Sequence, residues 1–126
     1  MRLLLDASFV IDHLRGDRGA MTRWDAIFQD GDEPFVNEVV VCEVQAGLRP
    51  PDRALLEEVL APVEFIQPGP TAAQLAGRWR WEARERGATL SLADALIAAA
   101  ADAVGCAVLT RNLRDFALTP VPVETY

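Results

Sequence analysis

Short apolar runs separated by segments of helical periodicity constrain this chain more than any other feature of it. The runs are Leu3-Leu4-Leu5, Pro34-Phe35-Val36, Val63-Glu64-Phe65-Ile66 and Cys106-Ala107-Val108-Leu109. A strand that short, with so little polar alternation, needs cover on both faces. Helices placed between such strands supply the cover and impose parallel pairing. The intervening segments fit. Residues 19–29 carry Met21, Trp24 and Phe28 at helical spacing, and Gly31 stops the run. Asn37 can cap a helix whose apolar positions include Val40, Val44 and Leu48. Pro50-Pro51-Asp52 breaks the chain before a short helix over 53–60. Thr71 opens a long helix to about Arg86, with Ala72, Leu75, Ala76, Trp79 and Ala83 as its apolar stripe. Ser91 starts a further helix that runs to Ala101, and Gly105 ends it. Pro120-Val121-Pro122-Val123 reads as a fifth strand, placed at an edge by its prolines. The expectation is one three-layer α/β/α domain over residues 1–126 with a mainly parallel five-stranded sheet.

Composition narrows the chemistry. The formal net charge is −7, and all 12 basic residues are arginine. Without lysine there is no Schiff-base chemistry and no P-loop lysine. The acidic balance also argues against a broad basic surface that grips nucleic acid by charge alone. His13 is the only histidine, which excludes His-pair acid–base catalysis and multi-histidine zinc cages. It reads as a surface or packing residue of the first helix. Cys42 and Cys106 both lie in apolar surroundings and read as free, buried thiols of a reducing cytoplasm. The opening Met1-Arg2-Leu3-Leu4-Leu5 is too short, and too soon cut by Asp6 and Asp12, for a signal peptide, and no apolar run is long enough to span a bilayer.

Carboxylates are the plentiful reactive groups, and the fold class selects among them. In parallel α/β sheets the functional crevice lies at the carboxyl ends of the strands. Asp6 directly follows the first strand. Asn112 and Asp115 lie in the loop or short turn after the fourth. Asp94 sits in the first turn of the helix leading into that strand, and Glu43 interrupts an otherwise apolar helical segment. Each has a plainer role open to it. Asp94 can be a capping partner of Ser91, Asp6 can cap the first helix, Glu43 can face water, and Asp115 can be a turn residue. Asp12, Asp17, Asp25, Asp30 and Asp32 read as solvated turn or helix-face residues. Clustered carboxylates suit a hard divalent cation, Mg²⁺ or Mn²⁺, and such a site suits a phosphate ester. Residue chemistry alone therefore reaches a divalent-metal phosphoesterase or phosphoryl-transfer site and goes no further.

Four segments, taken in order, resemble the motifs of PIN domains, specifically the bacterial VapC ribonuclease toxins of type II toxin–antitoxin systems. They are Leu5-Asp6-Ala7-Ser8-Phe9-Val10-Ile11; Asn37-Glu38-Val39-Val40-Val41-Cys42-Glu43-Val44 with Ala46-Gly47-Leu48; Leu90-Ser91-Leu92-Ala93-Asp94-Ala95-Leu96-Ile97-Ala98; and Val108-Leu109-Thr110-Arg111-Asn112-Leu113-Arg114-Asp115-Phe116. The resemblance covers nearly the whole chain. It implies Asp6 and Asp94 as principal metal ligands and Glu43 as ligand of a second metal or holder of the attacking water. Asp115 would complete the acidic set, with Ser8, Thr110 and Asn112 as hydrogen-bonding supports. Many relatives carry an acidic residue where this chain has Asn112, so either Asn112 takes that place as a neutral ligand or Asp115 carries it alone. The implied reaction is hydrolysis of an RNA phosphodiester by a metal-activated water, leaving a 3′-hydroxyl and a 5′-phosphate. A homodimer and a VapB-like antitoxin partner are implied too, with a basic side chain of the antitoxin tail neutralising the acidic site.

Several other residues bear on this reading. Arg111 and Arg114 flank the site and suit phosphate contacts. Arg78, Arg80, Arg84 and Arg86 share the long helix with Glu82 and Glu85, and read first as a solvated face laced by the pairs Arg78–Glu82 and Glu82–Arg86, second as an RNA path. Trp81 points about 200° around that helix from Trp79; it either packs on a neighbouring helix or sits at a dimer or antitoxin interface. The competing functions are a PIN-type nuclease with another nucleic-acid substrate and a catalytically silent PIN-like binding module. A haloacid-dehalogenase-type phosphatase is weaker, because it wants an aspartate where this chain has Ser8.

Overall fold

The computed structural model describes all residues, 1–126. Five strands, β1 (Arg2–Leu5), β2 (Glu33–Asn37), β3 (Glu64–Ile66), β4 (Ala107–Leu109) and β5 (Val123–Glu124), form one sheet in the order β3-β2-β1-β4-β5. Every neighbouring pair is parallel. Seven helices accompany them: α1 (Ala7–Leu14), α2 (Arg18–Gln29), α3 (Glu38–Gly47), α4 (Ala54–Leu60), α5 (Pro70–Glu85), α6 (Leu92–Val104) and α7 (Leu113–Phe116). None is long and apolar enough to cross a membrane.

The central strand explains the leucine triplet. Leu3, Leu4 and Leu5 are all fully buried because β1 has helices on both faces and a strand on both sides. Pro34 stands beside Leu3 in β2 but lies beyond the end of β3, which pairs only from Phe35 to Asn37, so the proline has a strand on one side only. In α6, Ala95, Ala98, Ala99, Ala100 and Ala101 are buried, and their small side chains let this helix lie close to its neighbours. Gly105 closes α6 in the left-handed region at φ 69°, a conformation open to glycine at little cost, and the chain turns at once into β4.

Some expectations are corrected. The fifth strand is Val123–Glu124, not 120–123, since Pro120 and Pro122 lack the N–H a ladder needs; Pro122 still accepts a bond from the Val108 N–H at 2.9 Å. The turn after β4 winds into α7. Cys106 is buried, and burial pushes its thiol up to about 11, but Cys42 is exposed. Val40 and Val44 point α3 into the core, and Cys42 lies between them on the far side of the helix. On α5 neither expected Arg–Glu pair closes. Arg80 instead donates from Nε to the Leu90 carbonyl at 3.1 Å, and Arg86 from Nη2 to the Leu118 carbonyl at 3.3 Å. These arginines fasten α5 to the loops beside it. Trp79 is buried, whereas Trp81 is exposed and does not pack into a neighbouring helix of this chain. His13 stacks on Trp24 at 4.6 Å, and burial lowers its pKa, so it is a neutral packing residue.

Candidate active site

The strand order places a topological switch between β1 and β4. From β1 the chain moves outward one way to β2 and β3, then returns to the other side of β1 for β4 and β5. Connections that diverge in this way open a crevice at the carboxyl ends of the two strands. Leu5 pairs with Leu109, so the next residues, Asp6 and Thr110, meet at that crevice. The Asp6 N–H donates to the Leu109 carbonyl at 3.0 Å and extends the ladder one step.

Asp6 occupies the N-cap position of α1, yet its side chain makes no cap bond. Its Oδ2 instead accepts from Ser8 Oγ at 2.8 Å and from Thr110 Oγ1 at 2.7 Å. Each hydroxyl has one proton and two lone pairs. With the protons given to Asp6, the lone pairs accept from the backbone: Arg111 N–H reaches Ser8 Oγ at 3.3 Å, and Asn112 N–H reaches Thr110 Oγ1 at 2.9 Å. Asp6, Ser8 and Thr110 are all buried. The network fixes the rotamer of a carboxylate only 2% exposed and leaves Oδ1 without a protein donor.

Glu43 and Asp94 come from the next two helices. Asn37 orients both: its Oδ1 caps α3 by accepting from the Val40 N–H at 3.0 Å, and its Nδ2 donates to the Leu96 carbonyl of α6 at 3.4 Å. Local pattern marks Asn37 only as a cap; its second bond, across 59 residues, has no local signal. Ser91 Oγ caps α6 by accepting from the Asp94 N–H at 3.0 Å, which fixes Asp94 in the first turn of the helix.

Electrostatics tie the set together. Burial, and then the charges of Asp6 and Asp94, hold the Glu43 carboxyl above its usual range. Asp94 is raised by burial first and by Asp6 next; its bond to Ser91 opposes this, and Asp115 adds to it. The structure therefore brings Glu43 within electrostatic reach of Asp6 and Asp94, and Asp94 within reach of Asp6 and Asp115. Asn112 is less engaged: it precedes α7, its side chain makes no cap bond, and only its backbone N–H joins the network. No three His, Cys, Asp or Glu side chains are gathered tightly enough to hold an ion as they stand. The donor set, oxygen only and strongly anionic, fits Mg²⁺ or Mn²⁺, which keep several waters and need few protein ligands.

At the rim, Asp12 is not the solvated helix-face residue its sequence suggests. Its side chain is 13% exposed and accepts from Arg111 Nη1 at 2.8 Å to each oxygen and from the Tyr126 hydroxyl at 2.7 Å. Burial, and then this bond, raise the Tyr126 pKa, so the phenol remains a donor. Asp32 likewise meets Arg23 at 3.7 Å. Beside Glu43, an open groove of about 520 Å³ between α3 and α6 is lined by Glu38, Val39, Cys42, Leu92, Ala93 and Leu96.

A family model described as the PIN domain matches residues 3–121. The chain belongs to the PIN-domain family. Ribonuclease VapC19 of Mycobacterium tuberculosis is 33% identical over 119 residues, 93% of this chain and 94% of that protein. Among solved structures, VapBC2 from Rickettsia felis bound to a promoter DNA fragment superposes with a TM-score of 0.87 at 19% identity, covering 100% of this chain and 99% of that one. A toxin–antitoxin complex from Klebsiella pneumoniae gives 0.80 at 25% identity, covering 97% and 96%. The switch-point crevice and its acidic side chains thus sit in a PIN fold matched along essentially its whole length.

Proposed function

We propose that this PIN domain is a divalent-metal-dependent endoribonuclease, the toxin of a VapBC-type pair acting in the cytoplasm. The observation that carries this reading is the buried, doubly hydrogen-bonded Asp6 at the β1–β4 switch point, facing Glu43 and Asp94, whose charges it disfavours. Similarity to ribonuclease VapC19 supports RNA as substrate. Asp6 and Asp94 would be the principal ligands of Mg²⁺ or Mn²⁺, with Glu43 and Asp115 completing the set. The bound ion would supply positive charge for the phosphoryl oxygens and a water acidic enough to attack phosphorus. Ser8 and Thr110 hold the Asp6 side chain at the crevice through their two hydrogen bonds. Glu43, with its raised proton affinity, is suited to hold the attacking water and take its proton. Asn112 supports the turn through its backbone, and Arg111 and Arg114 place positive charge at the rim for flanking phosphates.

Toxin–antitoxin complexes among the structural neighbours support an antitoxin partner. The groove between α3 and α6, with exposed Leu92 on its wall, suits an apolar segment of a VapB-like tail, with a basic side chain reaching the carboxylates. Exposed Trp81 suits a homodimer or antitoxin contact. The test is incubation of matched RNA and DNA oligonucleotides with the protein and Mn²⁺. RNA cleavage that EDTA stops and Asp6→Asn removes is the expected result. Cleavage of DNA alone, or of neither, would overturn it.

A further inference from the structure

The proposed site leaves two partners of Arg111 without a role: Asp12 and Tyr126, which lie far from it in sequence and meet it at the rim. Ser8 and Asp12 are four residues apart on α1 and therefore share a face, one turn of helix from each other. Ser8 supports Asp6, and Asp12 holds the guanidinium of Arg111, whose own backbone N–H donates to Ser8 Oγ. Arg111 is thus anchored twice, by its backbone at the site and by its side chain one turn away. Asp12 is anchored in turn by the Tyr126 hydroxyl, and the Tyr126 ring is set edge-on against Phe9 of α1 at 4.9 Å.

The pairing leaves the arginine available. Asp12 engages only Nη1, so the Nε–H and both Nη2 protons are free. The Arg111 side chain is 57% exposed although one nitrogen is held at 2.8 Å from both carboxylate oxygens. An arginine unrestrained at a surface must lose rotamer freedom when it grips a phosphate; one already held loses less. The remaining N–H edge presents the planar donor fork that phosphate accepts.

Resting on the ribonuclease reading of the same crevice, we propose that Tyr126, acting through Asp12, is a positioning residue that fixes Arg111 for the RNA phosphate neighbouring the one cleaved. Tyr126 itself does not touch the RNA. Its hydroxyl holds Asp12, and Asp12 orients the guanidinium.

The test is a mutant cycle on RNA binding, with all variants carrying Asp94→Asn so that the probe, a labelled single-stranded RNA oligonucleotide, stays intact. Tyr126→Phe keeps the ring against Phe9 and removes only the hydroxyl. It is expected to weaken binding about five-fold, as loss of pre-organisation at one charged contact does. Arg111→Ala is expected to weaken binding about ten-fold and to lower the slope of log K against log salt by about 0.7, one phosphate contact on a single strand. In the Arg111→Ala background, Tyr126→Phe is expected to change nothing further. Parent-like affinity of Tyr126→Phe would overturn the proposal, as would an equal loss in both backgrounds, which is what a purely structural tyrosine would give. Melting curves verify that each variant is folded at the titration temperature. Nitrogen-15 NMR of the Arg111 side chain is a readout independent of RNA: guanidinium rotation is expected to be hindered in the parent and freed by Tyr126→Phe. Cleavage by the chain with its native Asp94 tests the ribonuclease reading separately. Absent cleavage with an intact binding cycle would remove that activity and leave the role of Tyr126 standing.

Discussion

The two sides of the acidic crevice are built on opposite principles. On the β1–β4 side, Asp6 is buried and held by two hydroxyls, each of which is itself held by a backbone N–H. On the helical side, Glu43 and Asp115 are exposed and Asp94 half-buried, and none of their carboxylates accepts a hydrogen bond from a neighbouring residue's backbone; burial and then the charges of Asp6 and Asp94 raise the Glu43 carboxyl, and burial and then the charges of Asp6 and Asp115 raise Asp94. One wall is a rigid reference point and the other a looser acidic set. In the proposed metal site the fixed carboxylate would define where an ion sits, and the looser carboxylates would exchange their charge repulsion for its positive charge.

Activity gives the harshest test of this division, since in the proposed mechanism both walls would supply a ligand. Asp6→Asn and Asp94→Asn should each reduce RNA cleavage by about a thousand-fold or more, measured with Mn²⁺ on a labelled oligonucleotide; activity retained in either would break the pairing of the two walls. Metal binding should then stabilise the fold. At a Mn²⁺ concentration of about 100 times its Kd the gain should be about 2.7 kcal/mol, seen as a rise in Tm that EDTA reverses and that Asp6→Asn lacks. Stability without metal separates the walls. Thr110→Val removes a donor to buried Asp6 and the acceptor of the Asn112 N–H, and should cost about 1–3 kcal/mol in urea unfolding. Asp115→Asn, on the loose wall, should stay within about 0.5 kcal/mol while still lowering cleavage.

The smallest effect carries the sign of the strain. Because folding raises the Asp94 pKa, the folded chain holds more protons than the unfolded one between the two values. Stability therefore falls as pH rises through that window, and at neutral pH the charged Asp94 is a destabilising group. Asp94→Asn should raise the metal-free Tm at pH 7, and the gain should fade as pH falls below about 4, where the carboxyl becomes protonated in the unfolded state as well as the folded one. A fall in Tm at pH 7 would show that Asp94 has a stabilising partner, and the contrast between the walls would fail.

The fixed wall was legible before the structure and the rim was not, for a reason of distance along the chain. Asp6 follows an apolar strand, Thr110 follows another, and parallel sheets join the carboxyl ends of such strands, so their meeting was implied by local pattern plus one rule of topology. Glu43 was conspicuous because a carboxylate in an apolar helical run asks for an explanation. Asp12 carried no such mark: its partners, Arg111 and Tyr126, lie 99 and 114 residues away, and no periodicity encodes that pairing. Cys42 was misplaced because apolar flanks indicate burial on average, while helical geometry at Val40 and Val44 turns position 42 outward.

The sequence by itself thus determined the layered α/β class, the succession of elements and the oxygen-rich chemistry at the strand ends, because each depends on patterns a few residues long. Tertiary structure alone decided which hydroxyls hold Asp6, which carboxylates sense one another, and that Arg111 is tied to Asp12. Those outcomes depend on how closely β1, β4, α1, α3 and α6 pack, and a shift of an ångström or two between elements makes or breaks a hydrogen bond without altering any local sequence pattern.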